Sequence, residues 1–297
     1  MVLALKKQDN WQKNSGRPFH MEAKAISNTK LRVYSALGML LILVAAVALG
    51  QGASLALIGI VGLLVLDEFI VNFLEFSRRH LSYILSQVSF ILGYVYFNWV
   101  EIGGLFFKSF NNAGIVLNAL MLLFLFVSKH DSKLLKKNLK GLSFLMGALF
   151  LIPFMNLSAL AHFSEWKALF AGVVVLNFSV DTGAWFFGKN YGKKKLWPSV
   201  SPKKTVEGFI GGVLTSVVLS GLFWTVTFNL VSFQLLISFL IIACCAQLGD
   251  LIQSKMKRQF SIKDSSNLIP GHGGVYDRVD SLLFVAPLFL FVIRNLR

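Results

Sequence analysis

The chain has 297 residues, of which 55% are hydrophobic and 14% charged, with a mean hydropathy of +0.66. Those proportions exclude a water-soluble globular domain, because too few polar residues remain to cover an aqueous surface. The formal charge of +15, from 29 Lys and Arg against 14 Asp and Glu, needs an anionic partner, and with no soluble module to present a basic face, nucleic acid gives way to lipid head groups and phosphorylated substrates.

Residues 1–32 are polar, with Lys6, Lys7, Lys13, Arg17 and Lys24, and read as a flexible cytoplasmic tail. The apolar run that begins near Leu31 is too long and too far from the start for a secretory signal and reads as a retained first span. Further apolar runs of bilayer-crossing length follow, giving nine expected spans at about 33–50, 54–76, 81–99, 112–128, 141–157, 167–188, 206–228, 231–252 and 281–296. Between the third and fourth, residues 103–112 contain Lys108, Asn111 and Asn112 and suit a re-entrant or interfacial piece. Basic residues test the count independently. With a cytoplasmic N-terminus, 25 of the 29 Lys and Arg fall in the tail or in alternate loops, leaving Lys108, Lys167, Arg294 and Arg297. The expected fold is all-α and polytopic, with about nine transmembrane helices, an N-terminal scaffold over 33–165 and a catalytic region over 166–297. Cys244 and Cys245 are adjacent within an apolar run and point in different directions on a helix, so they read as packing residues.

Two basic loops also contain Gly, Pro, Ser and acidic residues, and these are where chemistry is expected. In the first, Asp181 lies inside the sixth span, about 12 Å of helix before Lys189. A buried acid at that depth is costly and faces a polar cavity or a partner. Farther on, Ser201-Pro202-Lys203-Lys204-Thr205 places two lysines before a helix start, where Thr205 can cap and free amides face a triphosphate. Asp67 and Glu68 lie at a depth comparable to Asp181 and are candidates for the same cavity.

The second stretch runs from Gly249 to Ser281. Asp250, Ser254, Lys257 and Arg258 are spaced to share one helical face. After Lys263 and Asp264 comes Pro270-Gly271-His272-Gly273-Gly274, whose glycines permit positive φ and close backbone approach to an anion. Asp277 and Asp280 then open the last helix beside Arg278. One such carboxylate would be an ordinary helix-start residue; two, with Asp250 and the nearby cations, make an oxygen-rich site of the kind Mg²⁺ takes. His272 has no second histidine or serine arranged to make it a general base.

At these positions the sequence resembles the phosphatidate cytidylyltransferases, also called CDP-diglyceride synthases. Their C-terminal signature is present as Ser254, Lys257-Arg258, Lys263-Asp264, Pro270, His272-Gly273-Gly274, Asp277-Arg278 and Asp280. Upstream, Asp181-Thr182-Gly183-Ala184, Lys195 to Pro198, and Ser201 to Thr205 with Glu207-Gly208 also match, while Val206 and Trp185 depart from the commoner Trp and Tyr. The resemblance is firm after residue 170 and looser from about 30. It implies an all-helical homodimer in the cell's inner (plasma) membrane, with its active site facing the cytoplasm, that joins CTP and phosphatidic acid into CDP-diacylglycerol and releases pyrophosphate. Carried onto this sequence, it makes Asp277, Asp280, Asp250, Lys257, Arg258 and Arg278 catalytic. Substrate binding falls to Ser201, Lys203, Lys204, Thr205, Glu207, Ser254, Lys263, Asp264, His272, Gly273, Gly274 and Asp181. The metal is Mg²⁺, held by Asp277 with Asp250 and Asp280, and a second, monovalent cation is a further candidate.

Two rival readings stand beside this one. A transporter would use Asp67, Glu68 and Asp181 as an ion path, but the polar groups concentrate at one face and no paired interrupted helices are evident. A CTP-dependent polyprenol kinase would release CDP in place of pyrophosphate.

Overall fold

A computed structural model describes residues 19–100, 104–128, 134–230 and 232–296; the tail residues Lys6, Lys7, Lys13 and Arg17 lie outside them. The described residues form ten α-helices. They are α1 (Phe19–Leu49), α2 (Gln51–Glu68), α3 (Leu81–Val95), α4 (Gly104–Val127), α5 (Leu134–Gly141), α6 (Met146–Ser158), α7 (Trp166–Tyr191), α8 (Val206–Phe228), α9 (Phe233–Gln259) and α10 (Tyr276–Asn295). Between α7 and α8 lies an antiparallel ribbon of β1 (Lys195–Trp197) and β2 (Ser201–Thr205), which pairs Lys195 with Thr205 and Trp197 with Ser201.

Among the described residues, seven stretches are long and apolar enough to cross a membrane: 30–49, 51–73, 106–127, 143–162, 166–191, 206–228 and 233–259. The expected spans at 81–99 and 281–296 are helical but fall outside this set. The helix α3 has 15 residues before passing into a π turn at Tyr96–Val100. In α10, Asp277, Arg278, Asp280 and Arg294 interrupt the apolar run. Within the segment 103–112, residue 103 lies outside the described residues and 104–112 do not break the helix; α4 runs unbroken from Gly104 to Val127. Likewise α1 begins at Phe19, so the expected boundary between tail and span lies inside a continuous helix.

Local sequence sets the helix ends. Ser232 caps α9 by accepting the Leu235 amide at 3.1 Å, and α8 stops at Asn229, whose left-handed backbone (φ 49°) is one that asparagine tolerates. The core has two main parts. One packs α7, α8, α9 and α10 through Leu176, Val180, Trp224, Phe239 and Phe289. The other is an aromatic nest of Phe69, Phe73, Phe150 and Phe260 around Tyr276, and it fixes where α10 begins.

Polar groups join the helices across the apolar interior. Asn111 and Asn118 of α4 donate to the carbonyls of Pro287 and Phe284 at 2.7 Å each, on the stretch of α10 that contains Pro287. Lys255 is 2% exposed, and its ammonium donates to the carbonyls of Leu125 and Ser128 at 2.6 and 2.5 Å. The charge thus neutralises the C-terminal end of α4, where unpaired carbonyls concentrate negative potential. The rings of Phe124 and Trp197 flank it, each under 6 Å away. Lys255→Met keeps the bulk but removes the donors, and is expected to destabilise the protein by about 2–3 kcal/mol, read as a lower melting temperature in detergent.

Candidate active site

The site grows from the junction of α9, the 260–275 loop and α10. Tyr276, held by the aromatic nest and by a hydrogen bond from Gln253, begins α10 and so orients Asp277 next to it and Asp280 one turn further on. Glu68, at the end of α2 and 2% exposed, ties the loop down. Its two oxygens accept from the hydroxyls of Ser265 (2.9 Å) and Ser266 (2.6 Å) and from the amides of Val275 (2.8 Å) and Tyr276 (2.9 Å). A carboxylate at those amides also suits the positive end of α10. Gly274 must be glycine here, since a Cβ would stand 1.9 Å from the Ser265 hydroxyl and 2.6 Å from Glu68.

Asp277 closes the same loop from the other side. Its carboxylate, 6% exposed, lies 2.7 Å from the Lys257 ammonium. It also accepts from the Ser265 amide (2.8 Å), the Ser265 hydroxyl (3.1 Å) and the Gly274 amide (3.1 Å). The signature's Lys257 and Asp277, 20 residues apart in sequence, are thus in direct contact.

A cavity of about 320 Å³ opens between α7, β2, α8 and α9, with the charged or polar side chains of Asp181, Lys189, Lys203, Lys204, Gln247 and Asp250 on its walls. Thr205 caps α8 by accepting the Gly208 amide at 3.1 Å, which turns the lysine-bearing strand into the cavity. Lys204 pairs with Asp250 at 2.8 Å and donates to the Gln247 carbonyl at 3.2 Å. The Asp250 side chain is 36% exposed and remains open to a ligand. Asp250 is also close enough to Asp181 and Asp280 to interact electrostatically with both. Three helices therefore bring like charges together, and each added cation relieves their repulsion.

Two more cavities are present, and Asp280 lines the first of them. One, about 300 Å³, is almost wholly apolar, lined by Leu117, Met121, Phe124, Met146 and Phe150, and has Gln253, Tyr276 and Asp280 at its polar end. The other, about 480 Å³, is polar, and Arg32, Lys263, Asp264, His272 and Arg278 line it. There, burial and then the charges of Arg278 and Arg32 hold the His272 imidazole below its ordinary pKa.

The structure brings together Asp181, Lys203, Lys204 and Asp250 around one cavity, Lys257 with Asp277, and Lys263, Asp264, His272 and Arg278 around another. Ser254 leans on Asp250 at 3.5 Å. Other candidates face elsewhere. Glu207 accepts the amides of Lys193 and Lys194 at 3.0 and 3.2 Å and so holds the start of the ribbon. Arg258 is exposed. Asp67 turns away to a two-point pair with Arg78 at 2.8 and 2.9 Å and to the Tyr83 hydroxyl at 2.9 Å, leaving Glu68 as the α2 carboxylate at the site. Sequence reasoning missed Arg32, Ser265, Tyr276 and Gln247; Ser265, beside Asp264, and Tyr276, beside Asp277, lie within the signature and carried a signal, whereas Arg32 and Gln247 did not. No group of three His, Cys, Asp or Glu among the described residues closes around a single point.

Comparison with known proteins agrees with the signature. A family model described as "Cytidylyltransferase family" matches residues 30–296. The chain is 43% identical over 141 residues to a phosphatidate cytidylyltransferase of Bacillus subtilis (strain 168), covering 47% of this chain and 52% of that protein. It is 50% identical over 121 residues to the phosphatidate cytidylyltransferase of Staphylococcus saprophyticus, covering 40% and 46%, and 49% identical over 121 residues to that of Staphylococcus aureus (strain COL). The matched region is thus about half the length of each of these relatives.

Proposed function

This chain belongs to the cytidylyltransferase family, and on that premise we propose that it is a phosphatidate cytidylyltransferase, converting CTP and phosphatidic acid to CDP-diacylglycerol and pyrophosphate. The observation that carries the reading is a lysine-bearing cavity with Asp250 on its wall beside an apolar one with Asp280 on its wall, the two carboxylates being near enough to interact electrostatically. The first suits a water-soluble triphosphate and the second a lipid chain. We further infer a multi-pass protein of the inner membrane with about nine spans, its N-terminus and site cytoplasmic, working as a homodimer; the alternation of basic loops supports the orientation.

The donor set suits Mg²⁺. Asp250, Asp277 and Asp280 offer hard carboxylate oxygens, and Asp250 and Asp277 each already hold an ammonium at 2.8 and 2.7 Å. Because Mg²⁺ draws most of its shell from water and phosphate oxygens, one or two protein carboxylates suffice. When bound, the ion neutralises phosphate charge as it builds toward the transition state.

The chain's own residues do the rest by position and charge. Lys203, Lys204 and Lys189, which line the same cavity, hold the triphosphate. A phosphatidate oxygen attacks the α-phosphorus and forms the new P–O bond; the bond from that phosphorus to the bridging oxygen breaks, and pyrophosphate leaves with the electron pair. The nucleophile is already anionic, so no side chain need remove a proton. Lys257 and Arg278 balance the charge gathered around Asp277.

The reading is tested by incubating the detergent-purified protein with phosphatidic acid, Mg²⁺ and each nucleoside triphosphate in turn. Pyrophosphate and a CDP-lipid are expected with CTP. Release of CDP with a phosphorylated lipid would make it a kinase, and no turnover with any nucleotide would remove the enzyme reading.

A further inference from the structure

The polar cavity at Arg32 is separate from the lysine cavity and differs from it in charge. Arg32, Lys263 and Arg278 bring three cations to its walls against the single carboxylate of Asp264. None of the three has an ion-pair partner among the described residues, whereas Lys204, Lys257, Arg78 and Lys140 all have one. Cations gathered around a hollow and left unneutralised repel one another, and an anion in the hollow removes that cost. His272, on the same wall, experiences the field of both guanidiniums.

The first helix is what completes this cavity. Most of α1 is exposed along its span, yet at its base it grips the glycine loop: the Arg32 guanidinium donates to the Gly271 carbonyl at 2.9 Å, and the Ser35 hydroxyl meets His272 Nδ1 at 2.6 Å. Gly271 and Gly273 both have positive φ, 76° and 89°, so the loop bends around the cavity. A Cβ on Gly271 would come within 3.0 Å of the Arg32 side chain. Arg32 stands two residues into the apolar stretch 30–49, which puts the cavity at head-group level, where a guanidinium meets lipid phosphate.

We propose that Arg32, Lys263 and Arg278 form a phosphomonoester site, completed by α1, that takes the head group of the lipid substrate while the lysine cavity takes the nucleotide. This rests on the proposed lipid cytidylyltransferase activity. A phosphomonoester carries up to two negative charges and no amine, which fits three cations and one acid better than a zwitterionic head group would. Arg278 also acts electrostatically on Asp181 in the lysine cavity.

The test measures binding apart from turnover. The full-length protein and the variants Arg32→Gln, Arg32→Lys and Lys263→Gln are titrated with phosphatidic acid in mixed micelles, with phosphatidylcholine micelles, with inorganic phosphate and with CTP. The Gln variants are expected to weaken phosphatidic acid binding by at least about tenfold while leaving CTP affinity within about twofold, and Arg32→Lys should recover part of the loss. Among the described residues no hydrogen bond or ion pair joins Lys263 to α1, so agreement between the two Gln variants separates lost charge from a displaced helix. The proposal fails if the Gln variants lose CTP affinity instead, if phosphatidic acid affinity is unchanged, or if phosphatidylcholine binds equally well. Inorganic phosphate that competes as strongly as the lipid would reassign the site to free phosphate or pyrophosphate and overturn the lipid assignment. Wild-type protein that binds phosphatidic acid in an Arg32-dependent way without making product would sink the proposed reaction and leave this site standing.

Discussion

Asp277→Asn is expected to lower CDP-lipid formation by roughly a thousandfold while the protein remains inserted and monodisperse in detergent. Asparagine keeps the shape and can still accept from the amides of Ser265 and Gly274, which contact one carboxylate oxygen at 2.8 and 3.1 Å. What it removes is the negative charge opposite Lys257. Lys257→Met provides the control, since it breaks the 2.7 Å pair but leaves the carboxylate in place. If Asp277 only anchored the loop through that pair, the two variants would lose stability and activity in step. If it also serves the reacting phosphates, Asp277→Asn loses far more turnover for a similar loss of stability. Wild-type-like rates for an inserted Asp277→Asn protein would sink the assignment.

The membrane helices were legible because a bilayer demands long apolar runs, and the sequence repeats such runs with basic residues at alternate breaks. Hydropathy was less informative where packing decides the geometry. Residues 103–112 looked too polar to continue a span, yet Asn111 is buried and bonds to Asn156 and Pro287, so its polarity faces a neighbouring helix and α4 continues through it. The ribbon between α7 and α8 had no alternating pattern to announce it. It is short, carries Pro202, and is pinned by Glu207 binding the Lys193 and Lys194 amides, a contact that forms only once α8 is in place.

Within the site, spacing on one helix was readable and contacts between helices were not. The period of α9 puts Asp250, Ser254 and Lys257 on one face, and Ser254 does lean on Asp250. Nothing in the sequence linked Arg32 to Gly271, 239 positions away, or Lys255 to the end of α4, because both are products of tertiary packing. Asp67 and Glu68 show the limit most clearly. They are adjacent acids of equal depth, and only the helix rotation, set by packing of Phe69 and Phe73 against Tyr276, decides that one turns to Arg78 and the other to the site.

That difference between neighbours gives the second large effect. Glu68→Ala is expected to destabilise the protein by about 3–4 kcal/mol, because two hydroxyls and two amides lose their common acceptor in a buried setting. Asp67→Ala gives up a pair with an exposed arginine and should cost about 1 kcal/mol or less. Glu68→Gln separates positioning from folding. One side-chain oxygen remains to accept, but the new amide group presents hydrogens to the donors it meets, so the 265–276 loop loosens and Asp277, which shares the Ser265 hydroxyl with Glu68, loses its alignment. The expected signature is a fall in kcat of at least about tenfold with the KM for CTP nearly unchanged, since no contact of Glu68 reaches the lysine cavity. Equal stability and equal kinetics for the Asp67 and Glu68 variants would show that the buried carboxylate does not hold the loop, and would leave the start of α10 to the aromatic nest alone.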